Sequence, residues 1–191
     1  MNLPELFVIR HGETEWNRES RWQGDLDSPL TEQGRVQARA VGAILRREGI
    51  TPATHRFYAS PLGRARKTAE LILGTVDGII EDARLREISV GQWTGLSRDQ
   101  IRAQSDLPED AHFLDYYASA PGGEPIEHLF ARAEAFLGSL TGPSVLVTHG
   151  ITSRVLRTAA MGWGPDRLNE LPGGQGVVHH VLNRQHAELH P

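Results

Sequence analysis

The chain has 191 residues, a length typical of one domain with a substantial core, and contains no cysteine, which excludes disulfides, thiolate catalysis and cysteine-ligated zinc. Its formal net charge of −4 disfavours nonspecific binding to nucleic acid or anionic lipid, because such binding usually needs a basic surface. No apolar run approaches the roughly 18 residues of a membrane span and residues 1–5 lack the features of a secretory signal, so we expect a cytoplasmic protein that binds neither nucleic acid nor membrane.

The first predicted element is a buried strand that ends in charged side chains. Residues 6–9 are apolar, and Arg10 and His11 follow them directly. Open α/β sheets bind ligands outside the carboxyl ends of such strands, so we expect both side chains at a ligand site. The donors of arginine match phosphate oxygens, and histidine can be a neutral nucleophile near pH 7. This strand end therefore predicts a phosphate site.

A helix, a strand and a second helix are predicted between residues 31 and 73. Thr31 is a candidate N-cap for the first helix, whose apolar residues recur at helical spacing until Gly49 closes it. Residues 56–59 predict the strand. Ser60 as an N-cap and Pro61 at the first helical position predict a helix that runs from about residue 61 to 73. Arg64 would lie in the first turn of that helix, where the helix dipole already favours an anion.

Residues 75–123 are less regular and are typical of loops that determine specificity. An amphipathic helix is then predicted over residues 126–140, followed by a second buried strand at 144–148 that ends in His149 and Gly150. The glycine-rich segment 173–176 lacks the lysine of a phosphate-binding loop and predicts a turn into a late strand at 177–182. The alternation of strands and helices predicts an α/β fold with a mostly parallel sheet and helices on both faces.

No metal site is predicted. The adjacent His179 and His180 would point to opposite faces of the late strand, and the chain contains no His-Glu-x-x-His motif. We therefore expect neither a metal ion nor another cofactor.

Four segments together resemble the histidine phosphatase superfamily, which includes phosphoglycerate mutases and many small-molecule phosphatases. They are Val8 to Asn17, which contains Arg10-His11-Gly12; Ser60-Pro61-Leu62-Gly63-Arg64-Ala65; Leu85-Arg86-Glu87, followed by Thr94-Gly95-Leu96; and Val147-Thr148-His149-Gly150. The resemblance implies a three-layer α/β/α sandwich of the phosphoglycerate mutase type. It also implies one histidine phosphatase domain over residues 1–191, with a small cap at about 86–123 that determines specificity.

The resemblance further implies a role for each matching residue. His11 would attack phosphorus and form a phosphohistidine, and Glu87 would donate and accept the proton, although another acid in the cap remains an alternative for that role. Arg10, Arg64, His149 and Asn17 would bind the phosphoryl oxygens. Arginines near His11 would also disfavour its protonated form.

Further residues are candidates for the substrate pocket. They are Gln23, Gly24, Gly150, Trp93, His112, Tyr116, Tyr117 and Glu124. The aromatic members of this set could equally belong to the core. The acidic residues Asp106, Glu109, Asp110 and Asp115 argue weakly against a second polyanionic group on the substrate.

Three functions remain open at this point. Glu87 is followed by Ile88-Ser89-Val90 instead of the basic and aromatic run of the glycolytic mutases, and the chain is shorter than those mutases. Both features favour a phosphatase that hydrolyses a small phosphorylated metabolite, with phosphoglycerate mutase-type phosphotransfer as the alternative. A catalytically silent phosphate- or partner-binding module is the third function, and a homodimer is left open.

Overall fold

A computed structural model describes residues 3–191, which form a six-stranded sheet of order β3-β2-β4-β1-β5-β6. The strands are β1 (Leu6–Arg10), β2 (Arg56–Ala59), β3 (Ile79–Glu81), β4 (Ser144–Thr148), β5 (Val178–Leu182) and β6 (Gln185–Leu189). The α-helices are α1 (Glu15–Arg18), α2 (Glu32–Arg47), α3 (Gly63–Leu73), α4 (Arg98–Gln104), α5 (Phe113–Ser119), α6 (Ile126–Gly138) and α7 (Gly150–Ala160).

The sheet is mostly parallel, as predicted. Strands β1 to β4 pair in parallel, whereas β5 runs antiparallel to β1 and forms a hairpin with β6. The hairpin turn contains Asn183 and Arg184, both with positive φ angles of 51° and 62°, which is typical of a tight two-residue turn. Sequence periodicity did not predict β6, because only three of its residues are even partly buried.

Alternation along β1 divides the core into two layers. Phe7 and Ile9 pack with the buried residues of α2 and α3, whereas Leu6 and Val8 pack with those of α6 and α7. Successive side chains of a strand point to opposite faces, so each face of the sheet is covered by one helix pair. The predicted three-layer α/β/α sandwich is confirmed.

The parallel register brings three strand ends to one edge of the sheet. The pairing continues one step beyond the strands, because the backbone N–H of His11 donates to Thr148 O (2.9 Å) and that of Ser60 donates to Val147 O (2.9 Å). His11, Ser60 and His149 therefore lie side by side, although up to 138 residues separate them along the chain.

The helix predicted from about residue 61 begins instead at Gly63. Leu62 keeps an extended backbone, and the Ser60 hydroxyl accepts from the Leu62 N–H (3.3 Å) without capping the helix. The carboxylate of Asp27 caps α3 by accepting from the N–H groups of Gly63 and Arg64. The predicted cap was wrong because an acceptor 36 residues earlier in the chain takes its place.

The region 75–123 is more ordered than its irregular sequence indicated. It contains β3, α4 and α5, and Ser97 and Gln100 form a reciprocal capping box at the start of α4. Both short helices bury an apolar side chain, Ile101 on α4 and Leu114 on α5. Within residues 3–191, no helix is both long enough and apolar enough to cross a bilayer.

Candidate active site

His11 is a buried, neutral imidazole. Its side chain follows β1 directly and the residue is 3% exposed. Its Nδ1 lies 2.8 Å from Gly12 O, and because a carbonyl only accepts, we assign the ring proton to Nδ1. Burial, reinforced by Arg64 and Arg10, lowers the pKa of His11 well below its ordinary value of 6.5. The lone pair on Nε2 is therefore available for nucleophilic attack at neutral pH.

His149 is the second buried histidine of the site, and its ring centroid lies 5.2 Å from that of His11. Its Nε2 lies 2.7 Å from Ser60 Oγ. Because His149 Nε2 is the one acceptor that the Ser60 hydroxyl proton reaches within the described residues, we assign that proton to this bond and the ring proton to His149 Nδ1. Burial first, and then Arg64, lowers the pKa of His149 well below 6.5. His149 is therefore a neutral donor whose Nδ1 has no partner within the described chain.

Arg64 is fixed by the loop that precedes α2. Its Nη1 donates to Leu26 O (2.6 Å) and to Asp27 Oδ1 (2.8 Å), and its Nη2 donates to Gly24 O (2.9 Å). The guanidinium is almost fully buried, with 1% of the side chain exposed. Three hydrogen bonds hold it in place, so little ordering would accompany the binding of an anion.

Arg10 and Glu87 meet at the first residue of α7. A Cβ atom on Gly150 would lie 3.5 Å from both the guanidinium carbon of Arg10 and Oε2 of Glu87. Glu87 Oε1 accepts from the N–H (3.1 Å) and hydroxyl (3.0 Å) of Thr152, and Oε2 accepts from the Ile151 N–H (3.2 Å). The helix N-terminus thus orients the carboxyl group and leaves Oε2 with lone-pair capacity for a proton.

Polar side chains of the α1 region complete the inner site. Asn17 Oδ1 accepts from the Thr14 N–H (3.2 Å) and from Gln175 Nε2 (3.1 Å), which also donates to His11 O (3.1 Å). Gln23 is buried and donates to Thr14 Oγ1 (2.9 Å). Sequence reasoning missed Gln175, because the glycine-rich segment around it indicated only a turn.

Two connected cavities lie at this edge of the sheet. The small pocket has a volume of about 80 Å³, and its walls include the sequence-predicted residues Arg10, His11, Asn17, Gln23, Gly24, Arg64 and Glu87. The large pocket has a volume of about 570 Å³ and is bordered by Gly150 among others. Arg10, Trp22, Glu87, Arg98 and Tyr117 line both cavities. His149 is buried against His11 and borders neither cavity among the residues that the structure describes.

The site contains several buried donors without a partner. Within residues 3–191, Arg10 Nε, Arg64 Nε and His149 Nδ1 are buried and form no hydrogen bond. Buried polar groups are normally hydrogen-bonded, and an unsatisfied one costs on the order of 1–3 kcal/mol. Unpaired donors on two arginines and a histidine are typical of a site that binds an anion.

The comparison with protein families decides the membership. The sequence profile of the histidine phosphatase superfamily (branch 1) matches residues 6–188. The chain belongs to the histidine phosphatase superfamily. A relative within the superfamily, the probable phosphoglycerate mutase GpmB of Salmonella paratyphi B, is 37% identical over 177 residues, which cover 86% of this chain and 79% of the relative.

Two solved structures share this fold at more than 30% sequence identity. The mycobacterial glucosyl-3-phosphoglycerate phosphatase, solved in complex with VO3, superimposes with a TM-score of 0.77 at 31% identity and covers 93% of this chain and 90% of its own. YhfR of Bacillus stearothermophilus superimposes with a TM-score of 0.76 at 32% identity and covers 96% of this chain and 94% of its own. Both similarities extend over nearly the whole chain.

Three of the predicted pocket residues lie outside the cavities of this superfamily member, as far as the described residues show. Trp93 is 3% exposed and belongs to the core, where its ring contacts Trp22 edge-on. His112 is exposed and caps α5, and Glu124 forms an ion pair with Arg132 (2.7 Å). The core position of Trp93 is the alternative that the sequence left open, whereas the assignment of His112 and Glu124 to the pocket was wrong, because each has a structural role. Tyr116 and Tyr117 line the large pocket as expected.

The acidic residues between positions 106 and 115 also lie outside the cavities. None of Asp106, Glu109, Asp110 and Asp115 lines either described cavity, and Asp115 hydrogen-bonds to the His112 N–H at the start of α5. Their positions therefore remove the basis for expecting them to disfavour a second polyanionic group, since that expectation rested on local composition and not on position.

One cluster has donors that suit a metal ion. Ligand atoms of His179, His186 and Glu188 lie within 4.8 Å of one another. However, Nη1 of Arg157 lies 3.2 Å from both His179 Nδ1 and His186 Nε2. The guanidinium hydrogen-bonds to both imidazoles and would repel a divalent cation, so these side chains do not fit a metal site.

Proposed function

We propose that the chain is a phosphatase that hydrolyses a phosphate monoester through a phosphohistidine on His11. The observation that carries the proposal is the set of unpaired buried donors on Arg10, Arg64 and His149, beside a neutral His11 whose Nε2 is free. A tetrahedral phosphoryl group supplies acceptors for all three donors. Binding alone would need neither a nucleophile nor the adjacent carboxyl group of Glu87.

In the first half-reaction, His11 Nε2 attacks phosphorus in line with the ester oxygen, so the N–P bond forms as the P–O bond breaks. The positive charges of Arg10 and Arg64 stabilise the oxygens of the transferring group, and His149 donates through Nδ1. Glu87, in its protonated form, transfers its proton to the departing alkoxide, which leaves as an alcohol.

In the second half-reaction, the Glu87 carboxylate accepts a proton from water, and the resulting hydroxide attacks phosphorus. The N–P bond breaks, inorganic phosphate leaves, and His11 and Glu87 return to their starting states. Phosphoryl transfer needs positive charge around the equatorial oxygens, which the two arginines supply. We therefore expect full activity in the presence of a metal chelator.

A second candidate is phosphoglycerate mutase-type phosphotransfer, which the name of the GpmB relative favours. A mutase must keep water away from its phosphohistidine, whereas a phosphatase must admit it. The large pocket next to Arg10 and Glu87 favours access of water, and the name of the mycobacterial relative supports hydrolysis. Interconversion of 2- and 3-phosphoglycerate without net phosphate release would support the mutase instead.

The proposal is tested by measuring phosphate release from a panel of phosphorylated metabolites with the wild-type chain, His11→Ala and His128→Ala. His128 is an exposed histidine on α6 and serves as the matched control. We expect at least one monoester to be hydrolysed by the wild type and the control, with a loss on the order of 10⁴-fold or more in His11→Ala. Full activity of His11→Ala, or no hydrolysis across the panel, would contradict the proposal.

A further inference from the structure

The large pocket is strongly basic, although the chain as a whole is acidic. Five arginines line it, Arg10, Arg98, Arg102, Arg154 and Arg157, and Glu87 is the only carboxylate among its described lining residues. The phosphoryl chemistry proposed above needs Arg10 and Arg64 alone. The other four arginines of the large pocket therefore have no part in it, in a chain whose formal net charge is −4.

The α4 wall presents two exposed arginines on one helical face. Arg98 and Arg102 are four residues apart, so their side chains lie one above the other. Like charges at this spacing destabilise a helix. Neither side chain forms an ion pair or a hydrogen bond with any residue between 3 and 191, although acidic residues are plentiful in the chain. An anion in the pocket would supply the missing counter-charge.

The α7 wall adds two further polar groups that lack a counter-charge or a partner. Arg154 is half-buried, and its Nη1 donates to Leu171 O while its guanidinium lies 5.2 Å from the centre of the Phe113 ring. It has no carboxylate partner in the described chain, and burial and the charge of Arg10 lower its pKa. The neighbouring Ser153 is 2% exposed, and its hydroxyl forms no hydrogen bond within the same residues.

Arg157 lies one turn further along α7, and its guanidinium already has hydrogen-bond partners within the described chain. Its Nε donates to Ser153 O (3.1 Å) and its Nη2 to Pro172 O (2.7 Å). Burial lowers its pKa to about 9, so it remains protonated at neutral pH and adds to the positive potential of the pocket. It does not itself have a free donor set for a ligand, unlike Arg98 and Arg102.

The size and lining of the large pocket suit an extended leaving group. Its volume of about 570 Å³ lies within the range of roughly 300–1,000 Å³ typical of sites for drug-sized ligands. Trp22 and Tyr117 stack at 3.9 Å between ring centroids and form part of the wall that both cavities share. A ligand held at Arg10 can therefore run past this aromatic pair toward α4 and α7.

We propose that the substrate carries a second anionic group, a carboxylate or a second phosphate, at the end of its leaving group remote from the transferred phosphoryl group. Arg98, Arg102 and Arg154 bind that group, and the Ser153 hydroxyl donates to it. This inference rests on the proposed function, because it takes the small pocket as the phosphoryl site and names the class of substrate: a phosphate monoester of an acidic alcohol.

The test measures binding and not turnover. Isothermal titration calorimetry compares alkylphosphonates with ω-carboxyalkylphosphonates and α,ω-alkylbisphosphonates of matched and increasing chain length, since their P–C bonds cannot be hydrolysed. We expect the terminal acid to tighten Kd about tenfold or more at the best length, because several arginines would donate charge-assisted hydrogen bonds to it. The preference should shrink at high salt. The carboxylate and phosphonate arms show which anion the subsite prefers.

Substitutions of single arginines show which side chains are responsible for the preference for acid-terminated phosphonates. Arg102→Gln and Arg98→Gln change exposed side chains without structural partners in the described chain, so both should fold, and each should reduce the preference several-fold. Arg154→Gln should do the same. Arg47→Gln, an exposed arginine at the end of α2, removes the same charge outside the pocket and should leave the preference unchanged.

Equal affinity for the plain and acid-terminated phosphonates at every length would overturn the inference. An equal preference in Arg102→Gln, Arg98→Gln and the Arg47→Gln control would also overturn it. Failure of the proposed phosphatase function would give a different result from failure of this inference. In that case the acid-terminated ligands bind more tightly and the variants weaken them, but no monoester releases phosphate.

Discussion

The two cavities that meet at Arg10 and Glu87 are built from different parts of the chain. The small pocket is formed around strand ends, where backbone pairing places His11 beside His149 and the loop before α2 holds Arg64 through three hydrogen bonds. The large pocket is formed mainly by side chains of α4, α5 and α7. The register of the sheet therefore places the proposed nucleophile, whereas helices outside the sheet line the cavity that we propose for the rest of the substrate.

The largest of these effects on activity is expected at Glu87, the proposed proton donor, which lines both cavities. Glu87→Gln should lower kcat for alkyl phosphates by on the order of 10²–10⁴-fold, because the departing alkoxide then receives no proton. A nitrophenyl phosphate, whose leaving group needs no proton, should lose far less. Glu109→Gln, which alters an exposed acid of the cap, is the control. If Glu109→Gln shows the larger loss, Glu87 is not the donor.

Charge removal in the small pocket should act on every substrate alike. Arg64→Gln is expected to reduce kcat/KM by on the order of 10²–10³-fold for small and large monoesters, because a preorganised positive charge on the phosphoryl oxygens is lost. Arg66→Gln is the matched control, since Arg66 is exposed on the same helix and pairs with Glu81 (2.7 Å). A loss of kcat/KM confined to large substrates would mean that Arg64 contacts the leaving group and not the phosphoryl group.

Truncation in the large pocket should discriminate between substrates. Phe113 is 40% exposed and lines the large pocket only. Phe113→Ala should raise KM about tenfold for monoesters with a large leaving group and leave methyl phosphate unaffected, because only the large leaving group contacts the ring. Steady-state kinetics with Val76→Ala, an exposed apolar residue elsewhere, provide the comparison. An equal change in KM for large monoesters and for methyl phosphate would contradict the proposal that the large pocket binds only the leaving group.

Each cavity also contains a neutral buried histidine, which predicts a pH dependence of stability. Burial lowers the pKa of His11 well below 6.5, and burial and Arg157 lower the pKa of His179 to about 3. The unfolded chain binds a proton at each histidine near pH 6.5 while the folded chain does not, so the free energy of unfolding falls as the pH drops below 6.5. The slope is at most about 1.4 kcal/mol per pH unit for each histidine.

Urea unfolding between pH 6.5 and 5 measures this slope. His179→Asn should flatten it by up to that amount, whereas His128→Gln, at an exposed position, should not change it. An unchanged slope in His179→Asn would mean that His179 binds its proton equally well in the folded and the unfolded chain, which contradicts the lowered pKa.

The sequence predicted the small pocket better than the large one, and the reason is physical. Arg10, His11 and His149 end apolar runs that form central strands in the fold, and Arg64 follows a strand end closely, so local pattern sufficed to place them. The fold class followed from the same alternation of strands and helices.

Long-range placement accounts for what was missed. Asp27 replaces Ser60 as the cap of α3, and Gln175 reaches His11, through contacts that no local pattern encodes. The arginine-lined pocket combines α4 with α7, about 50 residues apart, whereas the nearby acidic residues that dominated the local composition lie elsewhere. The Ser97 to Gln100 capping spacing was a readable signal for α4 that the prediction did not use.

The central claim is that His11 Nε2 forms a covalent bond to phosphorus, and trapping that bond tests it most directly. The chain is mixed with a substrate found in the metabolite panel, denatured in alkali because phosphohistidine is labile in acid, and analysed by mass spectrometry and ³¹P NMR. The structure predicts a phosphoryl group on Nε2 of His11, because Nδ1 is bonded to Gly12 O, and none in His11→Ala. A label on another residue, a label on Nδ1, or turnover without any covalent label would contradict the account.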